Sequence, residues 1–371
     1  MKNIANHRLL NFSIKHYNNA PWSNEKNVKF YASGREAIIS LIESFPESKQ
    51  KTALLPAYVP EGLYAPFIKK NWEVILYPID KQLNPKWDNL ESLIKKHTPS
   101  IAVFIHYFGI KLPIEKFVQL CHQYTINVIE DHAHLLPTKN KNMYTGDYIL
   151  YSLPKMLGIP DGAPLISRHP PVNAEPLQCH SVKTNRLYIT KQTIMLLVTT
   201  LVLKIPSLML VKITTSVLAK LLNSYADLMK IFHKPNKISK LSKAIINHTN
   251  FDELIQKRSQ YVAMYDQQLD PNVFTKFIQN TSQKAATFGY PVLVNNRNDF
   301  IKFLSTKGIF GTMLIRKWDY TAKALSTTSF EDTCYIINHH FIFPTAAHLT
   351  KQEIQYIIEC ANQWVNKYYD K

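Results

Sequence analysis

The four cysteines of this 371-residue chain, at 121, 179, 334 and 360, form neither a CxxC pair nor a metal-ligand spacing. No metal is expected, and free thiols in a reducing, cytoplasmic compartment are the plain reading. The opening residues, MKNIANHRLLNFSIKHY, hold no continuous apolar stretch of the kind a secretory signal needs. No apolar run approaches the roughly 20 residues of a membrane-spanning helix. Glycine is sparse at 9 residues, whereas proline is plentiful at 21. Acidic residues are few as well, 27 against 44 Lys and Arg, for a formal charge of +17. That excess suits nucleic acid, an anionic membrane surface or anionic substrates. No zinc-finger spacing or RNA-binding signature is found, and the basic residues concentrate in one region, so nucleic acid is not favoured. Hydrophobic content is ordinary at 46%, which excludes a disordered chain, and the length suits two domains.

Short apolar runs alternate with helical patterns through the first half. Val28–Tyr31, Thr52–Pro56, Trp72–Pro78, Ser100–His106 and Asn127–Asp131 read as strands. Between them, helices are expected from Gly34, over Gly62–Lys70, Trp87–His97 and Pro113–Tyr124. This is the α/β pattern of a mostly parallel sheet, whose ligands sit at the carboxyl ends of its strands. Residues 1–27 are polar with scattered aromatics and read as an arm.

The chemistry concentrates in 127–167, NVIEDHAHLLPTKNKNMYTGDYILYSLPKMLGIPDGAPLIS. A strand ends in Glu130-Asp131, and a second apolar run, Tyr148 to Leu153, delivers Lys155 into a Gly/Pro-rich loop. A carboxylate at one strand end and a lysine after a nearby strand are the two charges pyridoxal phosphate (PLP) needs. The lysine condenses with the aldehyde, and the carboxylate keeps the pyridine nitrogen protonated so that the ring acts as an electron sink. Such a pair is common by itself. The order of the surrounding segments gives it weight.

"IEDHAH", "GDYILYSLPK" and "GAPLIS" resemble, in that order, the "EDaAQ … GdigvfSF…K … GG" run of the DegT/DnrJ/EryC1/StrS aminotransferases. The resemblance implies a fold-type I, PLP-dependent α/β enzyme, with a large domain over 28–167 and a small C-terminal α/β domain over 258–371. It also implies a homodimer, an amino-acid donor such as glutamate, and a keto-sugar acceptor, mostly nucleotide-linked. Carried onto this sequence, it gives Lys155 the catalytic role and Asp131 the pyridine nitrogen. His134 stands where the family has a glutamine that contacts the cofactor's phenolic oxygen, and a histidine can donate the same hydrogen bond. Ser152 matches a phosphate-binding serine. "SGREA" looks like the family's "SGTaAL", which assigns Gly34 and Arg35 to the phosphate at a helix N-terminus. Tyr58 is the candidate to stack on the ring, although "AYVPEG" departs from the family's loop.

One departure matters more. Most family members place the lysine five residues after the serine, whereas here Ser152-Leu153-Pro154-Lys155 leaves three. Either the loop is shorter in this subgroup, or the chain is a non-catalytic relative that binds an anionic sugar or a membrane. "GIPDGAPLIS", which fits the Gly-rich segment and the next strand, favours the shorter loop.

From 168 to 257 the family pattern stops. Residues 176–258 carry 13 Lys/Arg against 3 Asp/Glu. Around Ile194–Leu203, Ile205–Val211 and Ile213–Leu222, Lys191, Lys204, Lys212 and Lys220 fall on one half of a helical wheel, and Pro206 splits the helix. Three readings stay open for this insertion: packing on its own domain or a dimer partner, a lysine-rich rim for an anionic substrate, or peripheral contact of 189–223 with the inner membrane face. The resemblance resumes at Lys257 with "KRSQYVAMYDQQL" and runs through "ATFGYPVLVNNRNDFIKFLSTKGI" to "FIFPTAAHLTKQEIQYIIECANQW", where Thr350 and Glu353 have capping-box spacing.

Overall fold

The computed structural model describes residues 4–5, 17, 22, 27–46, 50–138, 144–168, 186–202, 236–277, 288–312 and 330–368. The first short strand, β1 (Ile4–Ala5), belongs to the C-terminal half. The main sheet is built from β2 (Val28–Tyr31), β3 (Thr52–Pro56), β4 (Glu73–Tyr77), β5 (Ile101–Ile105), β6 (Asn127–Asp131), β7 (Tyr148–Leu150) and β8 (Ala163–Ser167), in the order β2-β8-β7-β6-β5-β3-β4. Only β8 runs against its neighbours, so the sheet is mostly parallel, as the alternating pattern implies. Its inner strands TALLP and IAVFI are buried throughout, because helices cover both faces of a parallel sheet. Four of these helices are α1 (Gly34–Glu43), α2 (Glu61–Lys69), α3 (Trp87–His97) and α4 (Glu115–Gln123).

Register fixes the site. Ile105 pairs with Asp131, and Asp131 with Leu150, so β5, β6 and β7 end level with one another. The loops after them, with the turn from β2 into α1, therefore open on the same edge. The second apolar run stops at Leu150 rather than Leu153. Leu153–Lys155 instead forms a 3-10 turn, which the proline starts with its preset φ.

The insertion is not a separate body where it is described. After α5 (Arg186–Val202), the chain at 236–238 lies against β2, with an antiparallel bridge from Tyr31 to Lys237 and a hydrogen bond from Ala32 N to Asn236 O at 2.8 Å. An edge strand exposes unpaired backbone groups, and this segment covers them. Helix α6 (Lys240–Asn247) is then fixed by Asp161, whose carboxylate accepts from Ser239 Oγ at 2.6 Å and Ser239 N at 2.8 Å. Residues 236–239 are thus bound to the edge of the main sheet and to Asp161. The stretch 203–235, with Lys204, Pro206, Lys212 and Lys220, lies outside the described residues.

The C-terminal half holds α7 (Phe251–Gln268), β9 (Thr275–Lys276), β10 (Tyr290–Leu293), α8 (Arg297–Thr306), β11 (Ile309–Phe310), α9 (Glu331–His339), β12 (His340–Phe343) and α10 (Lys351–Tyr368). An antiparallel sheet, β12-β10-β9, packs on a core that includes Tyr265, Phe300, Phe343 and Trp364. The capping box forms: Glu353 N donates to Thr350 Oγ1 at 3.1 Å, and Thr350 N to the Glu353 carboxylate at 2.9 Å. The arm is anchored at its described points. β1 pairs in parallel with β11, and Trp22 sits in the core edge-on to Phe30, Tyr151 and Phe251.

Candidate active site

Lys155 reaches back from its 3-10 turn to the end of β6, where its Nζ lies 3.3 Å from His134 Nε2. The Lys155 N–H donates to Ser152 O at 3.1 Å, which closes the turn. Shortening the serine–lysine loop therefore does not strand the amine away from the strand ends. Asp131 is buried there, and one of its oxygens accepts from Ala133 N at 2.7 Å. Burial raises the Asp131 carboxyl above its ordinary range, and the Lys155 charge pulls it back. Burial lowers the Lys155 amine; Asp131 opposes that shift and the Arg35 guanidinium adds to it.

The hydrogen bonds of His134 assign its tautomer. Phe108 N donates to Nδ1 at 3.3 Å, so the ring proton sits on Nε2 and points at Lys155. A neutral amine accepts that proton, whereas an ammonium would meet it donor to donor. Burial, and then the Lys155 charge, hold His134 well below its ordinary pKa, which agrees with a neutral ring. The ring stacks on Phe288, with centroids 4.8 Å apart. Phe108 adopts a left-handed φ of 58°, rare for a bulky residue and costing on the order of 1–3 kcal/mol. Its turn is held by Phe288 N to Phe108 O at 2.7 Å and by Tyr107 Oη to Tyr58 O at 2.7 Å.

Helix α1 starts at the same edge. Ser33 is its N-cap, accepting from Glu36 N at 3.4 Å and donating to the Glu36 carboxylate at 2.8 Å. The amides of Gly34 and Arg35 take no part in this cap, and they carry the positive end of the helix dipole. Glu36 is buried and also accepts from Asn236 Nδ2 at 2.7 Å, so the returning insertion braces this helix start. The predicted Tyr58 is placed less openly. It is packed in the core against Tyr107, Phe108 and His340, with its hydroxyl buried and unpartnered. It reaches the site through Phe108 and has no contact of its own with Lys155.

The sequence reading passed over the other face of β6. Consecutive strand residues point to opposite faces. Asp131 faces the site, and Glu130 is wholly buried behind it. One Glu130 oxygen accepts from Lys111 Nζ and lies 2.8 Å from His106 Nε2 and 2.7 Å from His132 Nε2. The other accepts from Thr145 N at 2.8 Å and Gly146 N at 2.7 Å. That second contact requires glycine, because a Cβ at Gly146 would lie 2.8 Å from Glu130 Cβ. Burial alone would raise the Glu130 carboxyl; the His106 and His132 hydrogen bonds win and hold it below the usual carboxylate range. His106, Glu130 and His132 also form a cluster of metal-ligand type, but the Lys111 ammonium already serves as its cation. The sequence carries only traces of this cluster, the acidic doublet at a strand end and His132 beside it, and neither shows the Lys111, His106 and Gly146 contacts.

The groups present suit PLP: Lys155 would offer an amine to its aldehyde, Asp131 a charge to its ring nitrogen, His134 Nε2–H a donor, and the α1 N-terminus with Arg35 a seat for phosphate. The DegT/DnrJ/EryC1/StrS aminotransferase family model matches residues 30–152 and 234–362. Lys155 stands just past the first block. No curated protein sequence matches. Among solved structures, the chain is similar to Helicobacter pylori PseC, an aminotransferase involved in the biosynthesis of pseudoaminic acid, at 14% identity and TM-score 0.65, covering 93% of this chain and 88% of that one. It is similar to the sugar aminotransferase CalS13 from Micromonospora echinospora, at 15% identity and TM-score 0.66 over 93% and 89% of the two chains. The PMP form of the Streptococcus pneumoniae protein Spr1654 gives 14% identity and TM-score 0.67 over 95% and 90%. The family match spans well over half the chain, and with it this protein belongs to the DegT/DnrJ/EryC1/StrS family of PLP-dependent aminotransferases.

Proposed function

We propose that this enzyme moves an amino group from an amino-acid donor, glutamate, to the carbonyl of a keto-sugar carried on a nucleotide, in surface-polysaccharide or amino-sugar biosynthesis. The observation that carries this reading is the meeting of Lys155, Asp131 and His134 at one edge of the sheet. When bound, PLP supplies the electron sink for breaking a C–H bond next to nitrogen. The chain's own residues do the rest. Lys155 Nζ, partly buried and favoured as a free amine, is the nucleophile toward the aldehyde and then the base and acid that carries the proton between substrate and cofactor carbons. Asp131 holds a proton on the ring nitrogen. His134 Nε2–H orients the cofactor's phenolic oxygen. The Gly34 and Arg35 amides and Ser152 bind its phosphate, and Tyr58 backs the ring through Phe108. A nucleotide's diphosphate would also be drawn by the chain's positive charge. We place the site at the interface of a homodimer in the cytoplasm.

The test is the absorption spectrum of the protein with PLP, before and after L-glutamate, followed by a nucleotide-linked keto-sugar. A visible band that bleaches with glutamate and returns with the sugar supports the reading. A folded protein with no band would reduce the resemblance to fold alone. Light scattering that gives a monomer mass would remove the dimer.

A further inference from the structure

Helix α5 is apolar on a side that the described fold leaves uncovered. Leu196 is buried at 5% exposure and marks the face that packs on the protein. Ile194, Leu197 and Leu201 stand at 51%, 45% and 61% exposure, the most open large apolar side chains among the described residues. They lie at i, i+3 and i+7, so they share one side of the helix. Two hydroxyls of this helix bond back to its own carbonyls, Thr193 Oγ1 to Ile189 O at 2.7 Å and Thr200 Oγ1 to Leu196 O at 2.6 Å. Both thus bring their partners with them into an apolar medium. No Asp or Glu occurs from Pro176 to Ala226, a stretch with six Lys or Arg. An apolar strip within a segment of one charge sign fits a surface that is itself apolar beneath an anionic layer. A protein partner would need an acidic rim and an apolar centre matched to this one helix. A bilayer offers both everywhere. No helix among the described residues is long and apolar enough to cross a membrane, so the geometry is that of a helix lying in the interface.

We infer that α5 docks this enzyme on an anionic lipid surface through Ile194, Leu197 and Leu201. The inference does not depend on the reaction proposed above. The full-length protein, with PLP added, is sedimented with vesicles of phosphatidylcholine alone and of phosphatidylcholine mixed with phosphatidylglycerol. The expected result is co-sedimentation with the anionic vesicles only, reduced by salt. The triple variant I194Q/L197Q/L201Q, which keeps good helix formers, should bind about tenfold or more weakly, with an unchanged circular dichroism spectrum and unchanged mass by light scattering. Hydrogen exchange of the unaltered protein gives a second readout: peptides from 186–202 should gain protection on anionic vesicles. Failure to bind those vesicles, equal binding by the variant, or no change in exchange over 186–202 would each overturn the inference. A variant that shifts to a smaller mass would do so as well, by making this face a contact between copies.

Discussion

Glu130 and Asp131 are chain neighbours on one strand, both buried carboxylates, and their surroundings drive them in opposite directions. Glu130 accepts from a lysine, two histidine rings and two backbone amides and is held below its ordinary range. Asp131 has a single backbone amide and a nearby lysine charge, and it is raised. Burial raises a carboxyl in both cases; the supply of donors decides the sign. A carboxylate saturated with donors is structural, because it has nothing left to offer. One left partly unsatisfied is available to a ligand. The same strand end thus carries a closed knot on one face and an open site on the other.

The sharpest way to break this contrast is to act on the open side. Lys155→Ala should abolish glutamate-dependent bleaching of the PLP band and cut transamination by about a thousandfold or more, with the urea midpoint unchanged. Retained turnover would move the catalytic amine elsewhere. Asp131→Asn keeps the shape and loses the charge, and should lower turnover by about a hundredfold, again with little change in stability. The closed side should answer in the other currency. Glu130→Gln removes the buried negative charge that Lys111, His106 and His132 share and should destabilise the fold by about 3–5 kcal/mol in urea unfolding, while activity per folded molecule stays within severalfold.

The knot also sets an acid limit. Burial holds His106 down to about 3 from an ordinary 6.5, so below about 6.5 the unfolded chain binds a proton that the folded chain refuses. Stability therefore falls as pH drops from 6.5 toward 3. Glu130, depressed from 4.5, adds stability that is complete above 4.5 and is lost as pH falls through its lower folded value. Urea midpoints that stayed flat from pH 6.5 to 4.5 would contradict the His106 sign, and midpoints that stayed flat below 4.5 the Glu130 sign. The smallest effect expected is at His134. Its Nε2–H favours the neutral amine, so His134→Phe should raise the pH at which Lys155 is modified by an amine-directed reagent, read by peptide mass in the apoprotein.

The open side was legible in the sequence and the closed side was not, for a physical reason. Asp131, Lys155 and the Ser33-Gly34 helix start sit at the ends of elements, where local order reads directly as position. Alternation of strands and helices placed β5, β6 and β7 in one parallel sheet, and register levels their ends. Glu130, by contrast, gathers His106 and Lys111 from the connection after β5 and His132 and Gly146 from the connection between β6 and β7, and only register brings the two together. Tyr58 was placed by family habit, and its burial among Tyr107, Phe108 and His340 depends on contacts spread across the chain. The insertion was bounded where the resemblance stops and resumes, and neither that nor its charge says anything of the edge of β2 that captures 236–238. The serine–lysine spacing looked like a defect in one dimension. In three, a proline-started 3-10 turn delivers the amine to His134.

The pairing of β1 with β11 has a consequence for the newborn chain. Ile4 and Ala5 leave the ribosome some 300 residues ahead of their strand neighbours, Ile309 and Phe310. At 5–20 residues per second that is a wait of about 15–60 s. Throughout it the first strand has no native mate, while the seven-stranded sheet can close behind it. During that wait the strand is open to chaperones and proteases, and it is locked only after the main sheet has its strands.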